Sequence, residues 1–140
     1  MFELMKALKK AGLQAENKMF HFASYYDGLD HDFTFPCAIV SIPVDLSGSD
    51  TAAALDRLNK IAKKHNYSVY DKRLVPEYSW YMVLIRNDHI EEGRKGYSEC
   101  VAFQYGFWMK RHEKPDASDD ELIAAGHAAM QEKGYSIRVA

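Results

Sequence analysis

The most constraining stretch of this sequence is residues 67–86, which predict two strands joined by a turn at Pro76-Glu77. In its second half, residues 80–85, every side chain is apolar or aromatic, so a strand there would be apolar on both faces. Such a strand must be covered on both faces, which places it in the middle of a sheet between two layers. The chain is therefore expected to form an α+β fold around this hairpin.

The composition is that of an ordinary folded protein. A length of 140 residues suits one domain spanning 1–140. With 18 basic and 20 acidic residues, the formal charge of -2 argues against nucleic acid and anionic membranes as partners. The N-terminus is too charged for a signal peptide, and no apolar run is long enough for a membrane span. A cytoplasmic location is expected, with Cys37 and Cys100 as buried free thiols rather than a disulfide.

Periodicity predicts the remaining elements. Residues 89–112 are the ambiguous segment, since 101–109 alternate as in a strand while Ile90, Tyr97 and Val101 keep helical spacing, which favours a helix. Ser118 to Glu121 has the pattern of a helix-starting capping box. The predicted helices cover 1–11, 51–65, 89–112 and 118–134, and the predicted strands outside the hairpin cover 18–26, 33–44 and 135–139.

This order of elements predicts a fold class. From the second strand onward it reads β-α-β-β-α(α)-β, the order of a ferredoxin-like sandwich, with an extra N-terminal helix and strand.

The run 39–85 contains a strand, the loop Asp45-Leu46-Ser47-Gly48 and an amphipathic helix before the hairpin. This order is similar to the first half of small ligand-binding regulatory domains of the ACT type, with Ser47 where such domains often carry proline. The resemblance covers about a third of the chain and concerns the fold. It implies an alternative function, a small-molecule-binding regulatory domain whose ligand site is Asp45, Ser47, Gly48 and Ser49.

The best metal candidate is the group around His21 and His31, where imidazoles alternate with the carboxylates of Asp27, Asp30 and Asp32. Neither an HExxH motif nor a calcium-loop spacing accompanies it, so no metal or other cofactor is predicted. A small metal-dependent enzyme using His21 and His31 is the third function considered. No nucleophile elbow or phosphate-binding loop occurs, and no catalytic residue is assigned.

Aromatic residues favour a protein-interaction function. A helix over 97–111 would be apolar around nearly its whole circumference, more than one domain is expected to bury. The prediction is a non-catalytic interaction or regulatory protein that binds another protein or its own copy in a homodimer. The predicted protein-binding residues are Tyr97, Phe103, Phe107 and Trp108, followed by Tyr25 and Tyr26 beside the acidic turn.

Overall fold

The computed structural model describes residues 1–43, 48–75 and 79–137. Within these residues the chain is a mixed α+β structure with four helices and an antiparallel four-stranded sheet. The elements, in chain order, are α1 (Phe2–Lys10), β1 (Gln14–His21), β2 (Thr34–Pro43), α2 (Gly48–Lys64), β3 (Tyr67–Val75), β4 (Ser79–Arg86), α3 (Asn87–Glu113) and α4 (Asp119–Glu132).

The strands lie in the order β1-β2-β4-β3, with β4 antiparallel to both β2 and β3. Val40 of β2 pairs with Met82, and Val69 of β3 pairs with Leu84. The helix α2 connects β2 to β3, and β4 lies between these two parallel strands. The predicted hairpin strands are confirmed, while the turn at Pro76-Glu77 lies outside the described residues.

The central strand is buried on both faces, as its sequence predicts. Met82 and Leu84 on one face are 2% and 0% exposed, and Val83 and Ile85 on the other are 7% and 0% exposed. At the start of the run, Tyr81 is 39% exposed and Trp80 is half-buried.

The chain divides into two compact units. The first, called the sheet unit, comprises Met1–Phe20 and Phe35–Glu91, and the second, called the helical unit, comprises His21–Thr34 and Glu92–Ala140. In the sheet unit, α1 and α2 place their apolar stripes against one face of the sheet. The buried cluster contains Leu4, Leu8, Leu13, Ala38, Val40, Ile42, Ala54, Leu58, Ala62, Tyr67, Met82 and Leu84.

The predicted ferredoxin-like order is not matched. The predicted closing strand at 135–139 is wrong for residues 135–137, which are not in a strand. Residues 138–140 lie outside the described part of the chain. The edge beside β2 is occupied by β1 instead. The first strand is Gln14–His21 and begins earlier than the predicted 18–26. Most side chains of this exposed edge strand are polar, so they give no apolar alternation.

The helical predictions are confirmed. The ambiguous segment is the long helix α3, so its strand alternative is wrong. The cap of α4 is formed by Ser118, whose Oγ accepts a hydrogen bond from the Glu121 amide at 3.2 Å. Among the described helices, none combines the length and apolarity needed to cross a membrane.

Candidate functional site

The helical unit is built on a close contact between α3 and α4. A Cβ atom at Gly106 of α3 would collide with the Ala125 carbonyl oxygen and approach the Ala129 Cβ to 2.6 Å. At Gly126 of α4, a Cβ atom would approach the Phe103 ring to 2.6 Å. The two glycines therefore let the helix backbones approach, and Gly126 leaves the space that the Phe103 ring fills.

A polar loop follows β1 and returns to β2. The Phe22 amide donates to the Phe33 carbonyl at 2.8 Å, and the Phe33 amide donates to the Ala23 carbonyl at 3.0 Å. Between these bonds the chain turns at Asp27-Gly28, as predicted, with Gly28 at a φ of 96° and the Leu29 amide donating to Asp27 Oδ1 at 3.0 Å.

The Asp27 carboxylate joins two histidines. His31 Nε2 donates to Asp27 Oδ1 at 2.9 Å, and His127 Nε2, from α4, donates to Asp27 Oδ2 at 2.6 Å. The side chains of Asp27 and His31 are each 1% exposed, whereas that of His127 is 22% exposed. Burial acts to raise the pKa of Asp27. The hydrogen bonds from His127, the Leu29 amide and His31, together with the electrostatic interaction with His31, outweigh burial and hold the pKa of Asp27 below its usual value.

Aromatic stacking continues from this group to α3. The Tyr25 ring lies between the rings of His31 and Phe103, with centroid distances of 4.2 and 4.6 Å. The Phe103 ring also contacts the His127 ring, at 5.6 Å between centroids. Tyr25 is thus held in place by the Asp27-linked histidine on one side and by α3 on the other.

His31 Nδ1 is buried and has no hydrogen-bond partner among the described residues. A carboxylate holding a histidine whose other ring nitrogen is free resembles the base and orienting group of acid–base enzymes. The imidazole is nevertheless only 1% exposed and stacks on Tyr25. The arrangement fits a structural clamp between the loop and α4 better than a catalytic pair.

Five of the six predicted protein-binding residues meet in one groove, called here the aromatic groove. Tyr25 and Tyr26 come from the loop, and Phe103, Phe107 and Trp108 come from α3. Tyr26 is 77% exposed and Trp108 is 60% exposed, so their rings form the open walls. The groove has a volume of about 280 Å³, and Gln104, Asp119 and Ile123 complete its lining.

The sixth predicted residue, Tyr97, does not line the groove. It lies on α3 in line with Val101 and Tyr105, at intervals of one turn, and all three are exposed. Val101 and Tyr105 line a separate depression with Ala129 of α4. The predicted interaction surface is therefore divided into a groove and an exposed apolar line.

The metal candidates are only partly brought together. His21 Nδ1 pairs with Asp32 at 2.8 Å, apart from the pair of His31 and Asp27, and Asp30 accepts a bond from the Asp32 amide. Among the described side chains, no three of His, Cys, Asp and Glu are placed to hold a metal ion.

Other residues considered from the sequence lie away from the groove. Of the alternative ligand loop, Asp45 and Ser47 are outside the described residues, and Gly48 and Ser49 are described only as the backbone that begins α2. Cys37 and Cys100 are free and buried, as predicted, and burial raises the pKa of both thiols.

His127 is a residue of this group that no sequence pattern selects. It lies one turn after Ile123 at the border of the apolar stripe of α4, where a histidine is unremarkable. Its importance comes from Asp27, which is far away in the sequence and contacts it only in the folded chain.

Comparisons with known proteins give no match to any family model, curated protein or solved structure.

Proposed function

We propose that this chain is a non-catalytic interaction protein whose aromatic groove binds an apolar segment of a partner protein. The observation that carries the proposal is the convergence of Tyr25, Tyr26, Phe103, Phe107 and Trp108 on one open groove. Aromatic side chains dominate the energetics of protein interfaces, and grouped exposed ones mark such sites more reliably than scattered ones.

The open shape of the groove favours a protein side chain over a free small molecule. Pockets for drug-sized ligands usually enclose most of the ligand. This groove is open to solvent along Tyr26 and Trp108, which are 77% and 60% exposed. One or two anchoring side chains from a partner surface match such a shape.

The residues that line the groove also favour binding over catalysis. The groove is lined by aromatic rings, Ile123, Gln104 and Asp119, with no cysteine, serine or histidine among its lining residues. The buried Asp27–His31 pair lies behind Tyr25 and supports its ring by stacking. Its role in this proposal is to fix the shape of the groove before the partner arrives, which lowers the entropic cost of binding.

Capture of partners from the source cells tests the proposal with matched variants. Tyr26→Ala and Trp108→Ala remove exposed groove walls, while Phe2→Ala removes an equally exposed aromatic (74%) from the sheet unit. Proteins captured by wild type and Phe2→Ala should be lost with both groove variants, because truncating a central aromatic typically costs about 2 kcal/mol or more. Identical captured sets for all four proteins would contradict the proposal.

A further inference from the structure

Among the described residues that line the aromatic groove, the only charged side chain is a carboxylate. Asp119 stands at the start of α4 and lines the groove, and no described residue forms an ion pair with it. Glu121, in the same turn, is already paired with Lys114 at 2.8 Å. The partial positive charge at the start of α4 is offset by the three acidic residues of its first turn, so it does not make the rim positive.

A second carboxylate lies beyond Tyr25 and Tyr26. These two rings also border a shallow depression that contains Asp30 and Asp32. Asp32 is paired with His21, whereas Asp30 accepts only the Asp32 amide among the described groups. Of the nearby cations, Lys110 faces Glu113 at 4.0 Å, and Arg111 lies one turn after Phe107 without lining the groove.

Aromatic faces bordered by carboxylates are the usual surroundings of a bound cation. The negative face of a tyrosine or tryptophan ring attracts a guanidinium or ammonium group, and a nearby carboxylate adds to that attraction. Arginine suits such a site better than lysine, because its planar guanidinium stacks on rings while it donates to a carboxylate.

We infer that the partner segment places an arginine in the aromatic groove beside its apolar anchor. The guanidinium lies against the rings of Tyr26 and Trp108 and donates to Asp119, while the apolar anchor packs on Phe103 and Phe107. This inference rests on the proposed function and adds the charge of the partner to it.

Peptide selection on the 140-residue chain tests the inference. A library of random peptides is selected on wild type and depleted on Trp108→Ala and Tyr26→Ala, each first shown by circular dichroism to be folded. We expect the surviving peptides to combine arginine with a large apolar residue. If the peptides that depend on the groove are neutral or acidic, the inferred arginine is wrong, and the proposed function still holds. Failure to find any peptide that depends on Trp108 and Tyr26 would count against the proposed function itself.

A matched titration then locates the guanidinium. The best peptide is compared by calorimetry with the same peptide carrying citrulline, which has the shape of arginine without its charge. Citrulline should weaken binding roughly ten-fold, as expected for loss of charge-assisted hydrogen bonds and ring contact. Asp119→Asn should weaken the arginine peptide about five-fold and leave the citrulline peptide unchanged.

The control variant is Asp120→Asn, one position further along α4 and outside the groove lining. It removes the same charge from the same turn and should change the affinity of either peptide less than about two-fold. Equal losses from Asp119→Asn and Asp120→Asn, or equal affinity of the arginine and citrulline peptides, would overturn the inference.

Discussion

At the scale of single residues, Asp27 links three groups of the helical unit. Its carboxylate accepts from two histidines and a backbone amide, and one of those histidines stacks on Tyr25. A buried carboxylate is costly unless its oxygens are bonded, and here both are. The loop and α4 are therefore linked by one residue whose loss affects both.

Asp27→Asn should lower the free energy of unfolding by about 1–3 kcal/mol at neutral pH. The substitution replaces a charged acceptor with an amide, whose NH₂ group cannot accept the hydrogen that His31 or His127 donates. Urea unfolding measures the change. Asp30→Asn is the control, because that carboxylate bonds only a turn amide and should change stability by less than about 0.5 kcal/mol. Equal effects of the two variants would contradict a special role for Asp27.

The stability of wild type and of Asp27→Asn can also be compared as a function of pH. Because the pKa of Asp27 is lower in the folded chain than in the unfolded one, its stabilisation is complete above the unfolded value of about 3.9. It is lost as the pH falls through the folded value. The stability difference between wild type and Asp27→Asn should therefore narrow as the pH is lowered from about 5 toward the limit at which both still fold. A difference that stays constant would mean that the carboxylate is not stabilised by folding.

At the scale of elements, α2 shows most clearly how apolar spacing in the sequence matches burial in the fold. Ala54, Leu58 and Ala62 recur at one-turn intervals and are all buried against the sheet, while Asn59 and Lys60 face solvent. The stripe was visible in the sequence because the helix is covered on one side only. The helix α3 is different, since it leaves large apolar side chains exposed, and its sequence showed no single stripe.

Leu58→Ala should lower the free energy of unfolding by roughly 2–4 kcal/mol, because Leu58 is fully buried and its truncation leaves a cavity. Denaturant unfolding provides the measurement. Asn59→Ala, on the exposed side of the same turn, is the matched control and should be close to neutral. A loss below about 0.5 kcal/mol for Leu58→Ala would mean that α2 is not packed there.

At the scale of the whole molecule, the helical unit exposes several large apolar side chains. Trp108 borders the groove, and a line of further exposed residues follows α3. Grouped exposed apolar side chains of this kind mark candidate interaction surfaces, for a different protein or for a second copy. The exposed apolar line of Tyr97 (59% exposed), Val101 (49%) and Tyr105 (63%) continues one turn further to Met109 (50%).

Self-association through α3 can be separated from folding. We expect wild type to dimerise at high concentration, and Trp108→Ala to weaken dimerisation with little loss of stability, because Trp108 is already 60% exposed. Light scattering gives the molar mass and denaturant unfolding gives the stability. Tyr105→Ala, on the exposed line rather than in the groove, shows which of the two surfaces carries the contact. A wild type that stays monomeric would contradict homodimerisation and leave a different protein as the partner.

The sequence by itself determined the elements whose evidence is local. The apolar run of β4 required burial on both faces, the spacing in α2 required one buried stripe, and Ser118 and Glu121 marked the start of α4. These features depend on residues within a few positions of each other, so periodicity and capping rules suffice to predict them.

Only the tertiary structure decided which distant segments meet. The sheet edge beside β2 is formed by β1 rather than by a C-terminal strand, and polar edge residues give no signal of their partner. The loop residues Tyr25 and Asp27 meet Phe103 and His127 across long stretches of chain. Such pairings are selected by the fit of whole surfaces and by the burial of a carboxylate between two histidines. Local sequence patterns carry no information about these pairings, because they arise from side chains that become neighbours only when the chain has folded.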